Sequence, residues 1–304
     1  MLAFHPQVQQ AIADRQPVVA LESTVISHGL PYPANLELAQ QLEAAVREHG
    51  ATPATIGVVG GAPVIGLDEA QIRHFASAEH VLKLSRRDIG VAVAQGRDGA
   101  TTVAATMALA AMAGIEVFAT GGLGGVHRGA RETWDVSADL GELGKTPVLV
   151  VCAGAKAILD LPATLEMLET LGVPVIGYGT TELPAFYSAS SGLSLAHAVN
   201  SPEEAAAAWE AHRRFGGGSG MVLAVPPPAE HRLDVGYVEA AIARALAKAD
   251  AAGVRGAAVT PFLLSAMAEE TSGESVETNV ALLTNNTKVA AQVARALSQK
   301  RSNS

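Results

Sequence analysis

Short runs of β-branched and small apolar residues alternate along the chain with alanine-rich stretches whose apolar positions recur at helical spacing. The runs Pro17 to Val25, Thr55 to Val59, Ile115 to Thr120, Val148 to Cys152, Val173 to Ile176 and Met221 to Val225 predict strands. Most are apolar almost throughout, the mark of parallel strands covered on both faces. Helices are predicted over Asn35 to His49, Gly99 to Ala113, Leu161 to Leu171, Pro202 to Phe215, Asp234 to Ala252 and Ser275 to Leu297, several with Asp, Ser or Asn near the start. In Val58-Val59-Gly60-Gly61-Ala62-Pro63-Val64-Ile65 a glycine pair separates two apolar runs, which predicts a hairpin and makes the sheet mixed but mostly parallel. The pattern is that of a layered α/β protein without internal repeats. Gly216-Gly217-Gly218-Ser219-Gly220 is too short to separate domains, so residues 1–304 are expected to form one unit, with this stretch a mobile loop and a candidate neighbour of the site.

Composition narrows the function class. A chain of 304 residues that is 49% hydrophobic and 17% charged can bury a large core. A formal net charge of -9 without any dense Lys/Arg cluster argues against a nucleic-acid surface, which needs cations to displace phosphate counterions, and leaves a small molecule as the expected partner. With Cys152 as the single cysteine, no internal disulfide or thiolate zinc site can form, which suits a reducing cytoplasm. Met1 to Gln16 has neither a basic start nor a long apolar stretch, so no export is expected. The most membrane-like stretch, Ala100 to Gly122, is broken at Gly114 and carries Glu116; it reads as a buried helix followed by a strand, not a membrane span.

Candidate chemistry gathers at strand ends. Lys156 follows the apolar run Val148 to Cys152 through Ala153-Gly154-Ala155, which delivers an ammonium to the carboxyl end of a buried strand, where open α/β sheets keep their ligands. Apolar burial lowers a lysine from about 10.4 toward neutrality and frees the amine for attack on a carbonyl; the alternative is a surface lysine on the following helix. Glu22 lies within the apolar pattern Val18 to Ile26, where desolvation would raise its pKa and make it a general acid, unless it only pairs with a buried cation. Lys83, in Val81-Leu82-Lys83-Leu84, is a candidate for that partner or for a phosphate ligand. Thr120-Gly121-Gly122-Leu123-Gly124-Gly125-Val126-His127-Arg128 leaves a strand through four glycines, exposing backbone amides that can cradle a phosphate or a substrate edge. Its spacing matches neither a dinucleotide fingerprint nor a nucleoside triphosphate loop. His127 and Arg128 tilt the loop toward an anion or a polar base, with a plain turn as the alternative. In Thr133-Trp134-Asp135-Val136-Ser137-Ala138-Asp139, four-residue spacing could align both carboxylates on one helical face, one to hold a hard divalent cation through water and one to exchange protons beside an ammonium; the alternative, which the lack of a surrounding His/Asp/Glu cluster favours over a metal, is a plain turn or helix start.

The segments Ala20 to Pro31, Thr120 to His127, Trp134 to Leu140, Cys152 to Lys156, Asn279 to Leu283 and Asn285-Asn286 together resemble the pseudouridine-5'-phosphate glycosidase family over nearly the whole chain. The resemblance implies a three-layer α/β/α fold around a large, mixed, mostly parallel sheet, assembled as a homotrimer. It implies Glu22 as proton donor, Lys156 as nucleophile, Asp135 as ligand to Mn2+, and Lys83, Val103, Ser137, Ala138 and Asp139 as substrate-contacting positions. His127 and Asn279 match places that touch uracil, Thr120 lies beside the phosphate, and Asp139 is expected to shuttle protons near the lysine. The implied reaction is reversible cleavage of the carbon–carbon glycosidic bond of pseudouridine 5'-phosphate to uracil and ribose 5-phosphate, through an imine between Lys156 and the ring-opened sugar. The two-carboxylate scheme of ordinary glycosidases is insufficient for such a bond, because no oxygen leaving group exists to protonate. A separate pseudouridine kinase would supply the substrate. Two other classes stay open: a Schiff-base sugar-phosphate aldolase, which the hairpin and long C-terminal helices disfavour because they break eight even repeats, and a non-catalytic sugar-phosphate sensor.

Overall fold

The structure of the protein, a computed structural model, describes residues 1–254 and 259–302. The first half runs β1 (Ala3–Phe4), α1 (Pro6–Ala13), β2 (Val18–Leu21), α2 (Thr24–His28), α3 (Ala34–Glu48), β3 (Thr52–Val59), β4 (Ala62–Ile65), α4 (Glu69–Ser77), β5 (Leu82–Leu84), α5 (Arg86–Ala94), β6 (Gly99–Thr101) and α6 (Val103–Met112). The second runs β7 (Val117–Ala119), α7 (Ala130–Thr133), α8 (Ala138–Leu143), β8 (Leu149–Cys152), α9 (Leu161–Thr170), β9 (Val175–Tyr178), β10 (His197–Val199), α10 (Pro202–Phe215), β11 (Met221–Ala224), α11 (Val235–Ala251), α12 (Val259–Glu270) and α13 (Glu274–Ser302). The strands form one sheet in the order β1-β4-β3-β2-β7-β8-β11-β9-β10, with β6 on β3 and β5 on β6. Among the strands of the described residues, only the β3–β4 and β3–β6 pairings are antiparallel. The expected hairpin is present, turned by Gly60 and Gly61 at φ 54° and 81°, values a side chain would resist.

Helices cover both faces, as the three-layer expectation requires: α3, α10 and α13 pack together on one, while α5, α6, α8 and α9 form the other group. The central strands β2, β7, β8 and β11 are buried along their whole length, which explains their unbroken apolar runs. No helix among the described residues is long and apolar enough to cross a membrane.

Three expectations are corrected. The strand predicted to Val25 ends at Leu21, because the buried Ser23 hydroxyl donates to the Ile56 carbonyl (2.6 Å) and accepts from Thr101 N (2.9 Å), turning the chain into α2. The helix predicted from Gly99 starts only at Val103; Gly99–Thr101 is instead strand β6, held between β3 and β5, so tertiary pairing overrides local helical character. The stretch Gly216–Gly220 lies at the opposite end of the sheet from the carboxyl ends of the parallel strands, where Gly220 N donates to Leu143 O (2.6 Å) and Ser219 Oγ to Gly172 O (2.8 Å).

That opposite end is tied together by Glu116, just before β7. Its carboxylate accepts from Trp209 Nε1 on α10 (3.0 Å) and from Arg301 Nη1 and Nη2 on α13 (2.7 and 2.9 Å), and it pairs with Arg213 (2.8 Å). Burial opposes ionisation, but Arg301, Trp209 and Arg213 outweigh it and hold the carboxyl at about 2, below its usual 4.5. Because the folded pKa is depressed, the network's stabilisation is complete above the unfolded value and is lost as pH falls toward 2. With screening of the part-exposed arginines allowed for, it is worth on the order of 2 kcal/mol. Glu116→Gln should lower stability at pH 7 by that order and flatten the acid limb between pH about 5 and 2. Urea unfolding across that range checks this; an unchanged limb would assign the acid sensitivity elsewhere.

Candidate active site

Three neighbouring parallel strands, β2, β7 and β8, deliver one polar side chain each at their carboxyl ends: Glu22, Thr120 and Lys156. Parallel register places these exits side by side, since Leu21 lies opposite Ala119 and Ala119 opposite Val151. Glu22 is thus beyond the strand end and not inside the strand. Lys156 is likewise not on the following helix, since α9 begins at Leu161.

The Glu22 carboxyl is desolvated by burial, and this raises its pKa above the usual 4.5. Lys156 and the Thr120 hydroxyl pull it down, Asp139 pushes it up, and Lys83 acts as a weaker cationic influence. Thr120 Oγ1 donates directly to Glu22 Oε1. The residues that sequence reasoning singled out separately, Glu22, Lys83, Asp139 and Lys156, therefore share one electrostatic site. Much of Lys83 reaches solvent, yet desolvation and then repulsion from Lys156 lower its pKa, while Glu22 and Asp139 raise it. Lys156 is half-buried; Nζ donates to the Gly122 carbonyl (3.2 Å), and the amine has no ion-pair partner among the described residues.

Asp139 is held at both carboxylate oxygens by backbone amides. It lies at the start of α8, buried, and its two oxygens accept from Ala104 N (3.0 Å) and Gly124 N (2.8 Å). Ser137 caps α8 by accepting from Asp139 N (3.2 Å), with Ala138 as the first helical residue. Through Ala104, Asp139 also reaches the amino end of α6, whose first residue is the buried Val103. Helix amino ends favour anions. The Thr102 hydroxyl at this end and the Thr24 hydroxyl at the start of α2 are buried without a hydrogen-bond partner among the described residues.

The shared-face prediction for Asp135 and Asp139 is corrected. Asp135 precedes α8 on a loop whose geometry is set by backbone bonds: His127 N donates to Asp135 O (3.0 Å) and Ser137 N to Gly125 O (2.9 Å). Its carboxylate instead lies 3.9 Å from His127 Nδ1. Burial lowers the His127 pKa, Asp135 raises it, and Lys156 lowers it further, which places His127 within reach of the same site. Among the described residues no group of three His, Cys, Asp or Glu side chains could cage a metal. The single, partly exposed Asp135 carboxylate therefore suits a hard cation that keeps most of its water and takes substrate oxygens, not a closed zinc-type centre.

Arg128 is not available to an anion. Its guanidinium grips Glu239 through Nη1 and Nη2 (3.0 and 2.9 Å) and donates to the carbonyls of Leu159 and Ala157 (3.3 and 3.2 Å). The glycine loop itself needs its glycines: a Cβ on Gly122 would lie 2.5 Å from Phe186 Cε2, and one on Gly124 2.1 Å from Ser137 Oγ. Asn279, on α13, approaches the same loop at Gly121. Sequence reasoning did not assign roles to Phe186, Asn286 or His28. Asn286 is fully buried and donates to Thr120 O and Gly121 O, and His28 is lowered by burial and by the Lys83 charge. The one legible signal was the Asn285-Asn286 pair in an otherwise helical pattern. A concavity of about 1120 Å³, lined in part by Glu116, Arg213 and Arg301, lies at the amino ends of β2 and β7. Perturbed ionisable groups, not volume, mark the candidate site.

The model of the indigoidine synthase A like protein family matches residues 7–296. The chain is 74% identical over 298 residues to a pseudouridine-5'-phosphate glycosidase from Herpetosiphon aurantiacus, covering 98% of each chain. It is 64% identical to one from Chloroflexus aurantiacus, covering 98% of this chain and 99% of the other. The crystal structure of the prealnumycin C-glycosynthase AlnA in complex with ribulose 5-phosphate superposes with a TM-score of 0.93 at 42% identity, covering 100% of this chain and 99% of that one. An indigoidine synthase A-like protein from Thermotoga maritima gives 0.89 at 35%, covering 98% and 97%. The chain is an enzyme and belongs to the indigoidine synthase A-like family, among its pseudouridine-5'-phosphate glycosidase members.

Proposed function

We propose that the protein cleaves the carbon–carbon glycosidic bond of pseudouridine 5'-phosphate with water, reversibly giving uracil and ribose 5-phosphate, in pseudouridine catabolism. The observation that carries the reading is a carboxyl whose pKa burial raises, in the same electrostatic site as a half-buried amine without an ion-pair partner among the described residues. That pairing suits a reaction in which an amine takes up a sugar carbon while an acid discharges the base. The names of the relatives and the ribulose 5-phosphate bound by AlnA support a sugar phosphate joined to a base through carbon.

In this reading the ribose ring opens and Lys156 Nζ bonds to C1. Glu22 gives its proton to C5 of uracil, the bond between C1 and C5 breaks, and uracil leaves. Water then hydrolyses the imine, returning the amine and releasing ribose 5-phosphate. Asp139, with both oxygens held by backbone amides, supplies a fixed negative charge opposite the two lysines and steadies the amine as it gains and loses protons. Lys83 and the amino end of α6 at Val103 hold the phosphate end. His127 and Asn279 border the place of the base, and Thr120 orients Glu22. Asp135 would hold Mn2+, which when bound supplies positive charge for the dianionic substrate. A homotrimer in the cytoplasm, fed by a separate pseudouridine kinase, completes the reading.

Mixing the protein, Mn2+ and pseudouridine 5'-phosphate should release free uracil. Lys156→Ala should abolish turnover, and borohydride should trap a ribose adduct on Lys156 of the wild type, located by peptide mass mapping. A variant as fast as wild type rules out the imine, and a sensor would retain its ligand response without turnover. Glu22→Gln should cost about 10²- to 10⁴-fold in kcat. Because the acid must carry its proton while the attacking amine must lose its own, kcat/KM of the wild type should be bell-shaped in pH, and Glu22→Gln should remove the limb that reports the acid. A carboxyl raised in the folded state destabilises the fold as pH rises past its unfolded value, so Glu22→Gln should also melt higher than wild type at pH 8. An equal or lower melting point would show that burial is not what raises Glu22. Asp135→Asn should weaken Mn2+ binding, followed by electron paramagnetic resonance titration, by about 10-fold or more; unchanged binding would move the metal elsewhere.

A further inference from the structure

We propose that Asn286 is a positioning residue for the proton donor, acting on Glu22 through Thr120; the inference rests on the reading of Glu22 as the acid. Asn286 projects from α13, fully buried, and its side-chain nitrogen donates to Thr120 O at 2.9 Å and to Gly121 O at 3.3 Å, across more than half the length of the chain. Thr120 N donates in turn to Val151 O on β8 (3.1 Å). Both backbone groups of Thr120 are therefore fixed, one by the sheet and one by the helix. The hydroxyl then has a fixed base from which to reach Glu22 Oε1.

The chemistry of Asn286 is out of keeping with a packing role. Its neighbours on the same helix, Leu282, Leu283, Ala290 and Ala291, are buried and apolar, and its own Oδ1 is buried with no partner among the described residues. An unpaired buried acceptor is destabilising, which a purely structural position would avoid. Asn279, seven residues earlier and so on the same side of α13, approaches Gly121. The helix thus turns two amides toward one loop, and the one at Asn286 sets the peptide that carries the Thr120 hydroxyl.

The consequence has a direction. A hydroxyl donating to a carboxylate favours the ionised form, so Thr120 restrains a carboxyl that burial drives the other way. Releasing the Thr120 peptide should let the Glu22 titration rise. The test compares wild type, Asn286→Ala, Asn286→Leu, Thr120→Val and the double variant Asn286→Ala/Thr120→Val. The Glu22 carboxyl is titrated in the resting protein by carbon-13 NMR, with Glu22→Gln to assign the signal, and uracil release is followed against pH. Asn286→Ala is expected to raise the Glu22 titration in the same direction as Thr120→Val, with no further rise in the double variant. The pH-rate limb should move with it, and kcat should fall about 10- to 100-fold with KM little changed. Asn286→Leu keeps most of the volume and serves if Asn286→Ala fails to fold. A lower melting temperature with an unmoved Glu22 titration, or shifts that add in the double variant, overturns the proposal. If wild type releases no uracil, the reaction is wrong, while the NMR titration still decides whether Asn286 positions Thr120.

Discussion

Taking the Glu22 carboxyl out of water is the constraint around which the carboxyl end of the sheet is organised. Ionising a buried carboxylate costs several kcal/mol unless cations or donors offset it. Here the offset is partial: Lys156, Thr120 and Lys83 favour the charge, Asp139 opposes it, and burial still prevails. Two lysines share the cluster with Asp139 and a carboxyl whose ionisation burial opposes, so a protein of net charge -9 can admit an anionic substrate without a dense cationic patch. A dianion entering that cluster would favour the charged lysines.

The two ends of the parallel strands carry opposite kinds of electrostatics. At the amino ends Glu116 is saturated by Arg301, Trp209 and Arg213 and held ionised, which fastens α10 and α13 to the sheet. At the carboxyl ends the charges are under-compensated, because a fully paired amine or acid would have nothing left for a substrate. The same helix, α13, joins both ends: Arg301 lies in its last turn, and Asn279 and Asn286 meet the glycine loop.

Much of this was legible in the sequence, for physical reasons that differ by residue. The central strands and long helices were readable because near-complete burial writes unbroken apolar runs, and helical burial writes a three-to-four period. Glu22 and Lys156 stood out because charges next to such runs are rare. What could not be read depended on contacts distant in the chain. The early end of β2 and the strand Gly99–Thr101 follow from Ser23 and Thr101 bonding across to Ile56. The four-residue spacing of Asp135 and Asp139 described a helix that begins only at Ala138, since Gly125 and His127 claim the backbone before it. Arg128 looked free for an anion until Glu239, on a helix far along the chain, took its guanidinium.

Phe186 shows how the loop around the amine is held in place. It has φ 62°, a left-handed conformation that costs a bulky residue about 1–3 kcal/mol and persists only where its surroundings demand it. Those surroundings are identifiable: the ring is buried, meets Tyr187 edge-on at 4.7 Å, and lies so close to Gly122 that no side chain could stand there. Gly122 in turn offers the carbonyl that receives Lys156 Nζ. A carbonyl accepts a hydrogen bond from an amine in either protonation state, whereas a carboxylate would hold an ammonium charged. The strained aromatic and the obligatory glycine therefore have one cause: both place a neutral acceptor, rather than an anion, against the lysine.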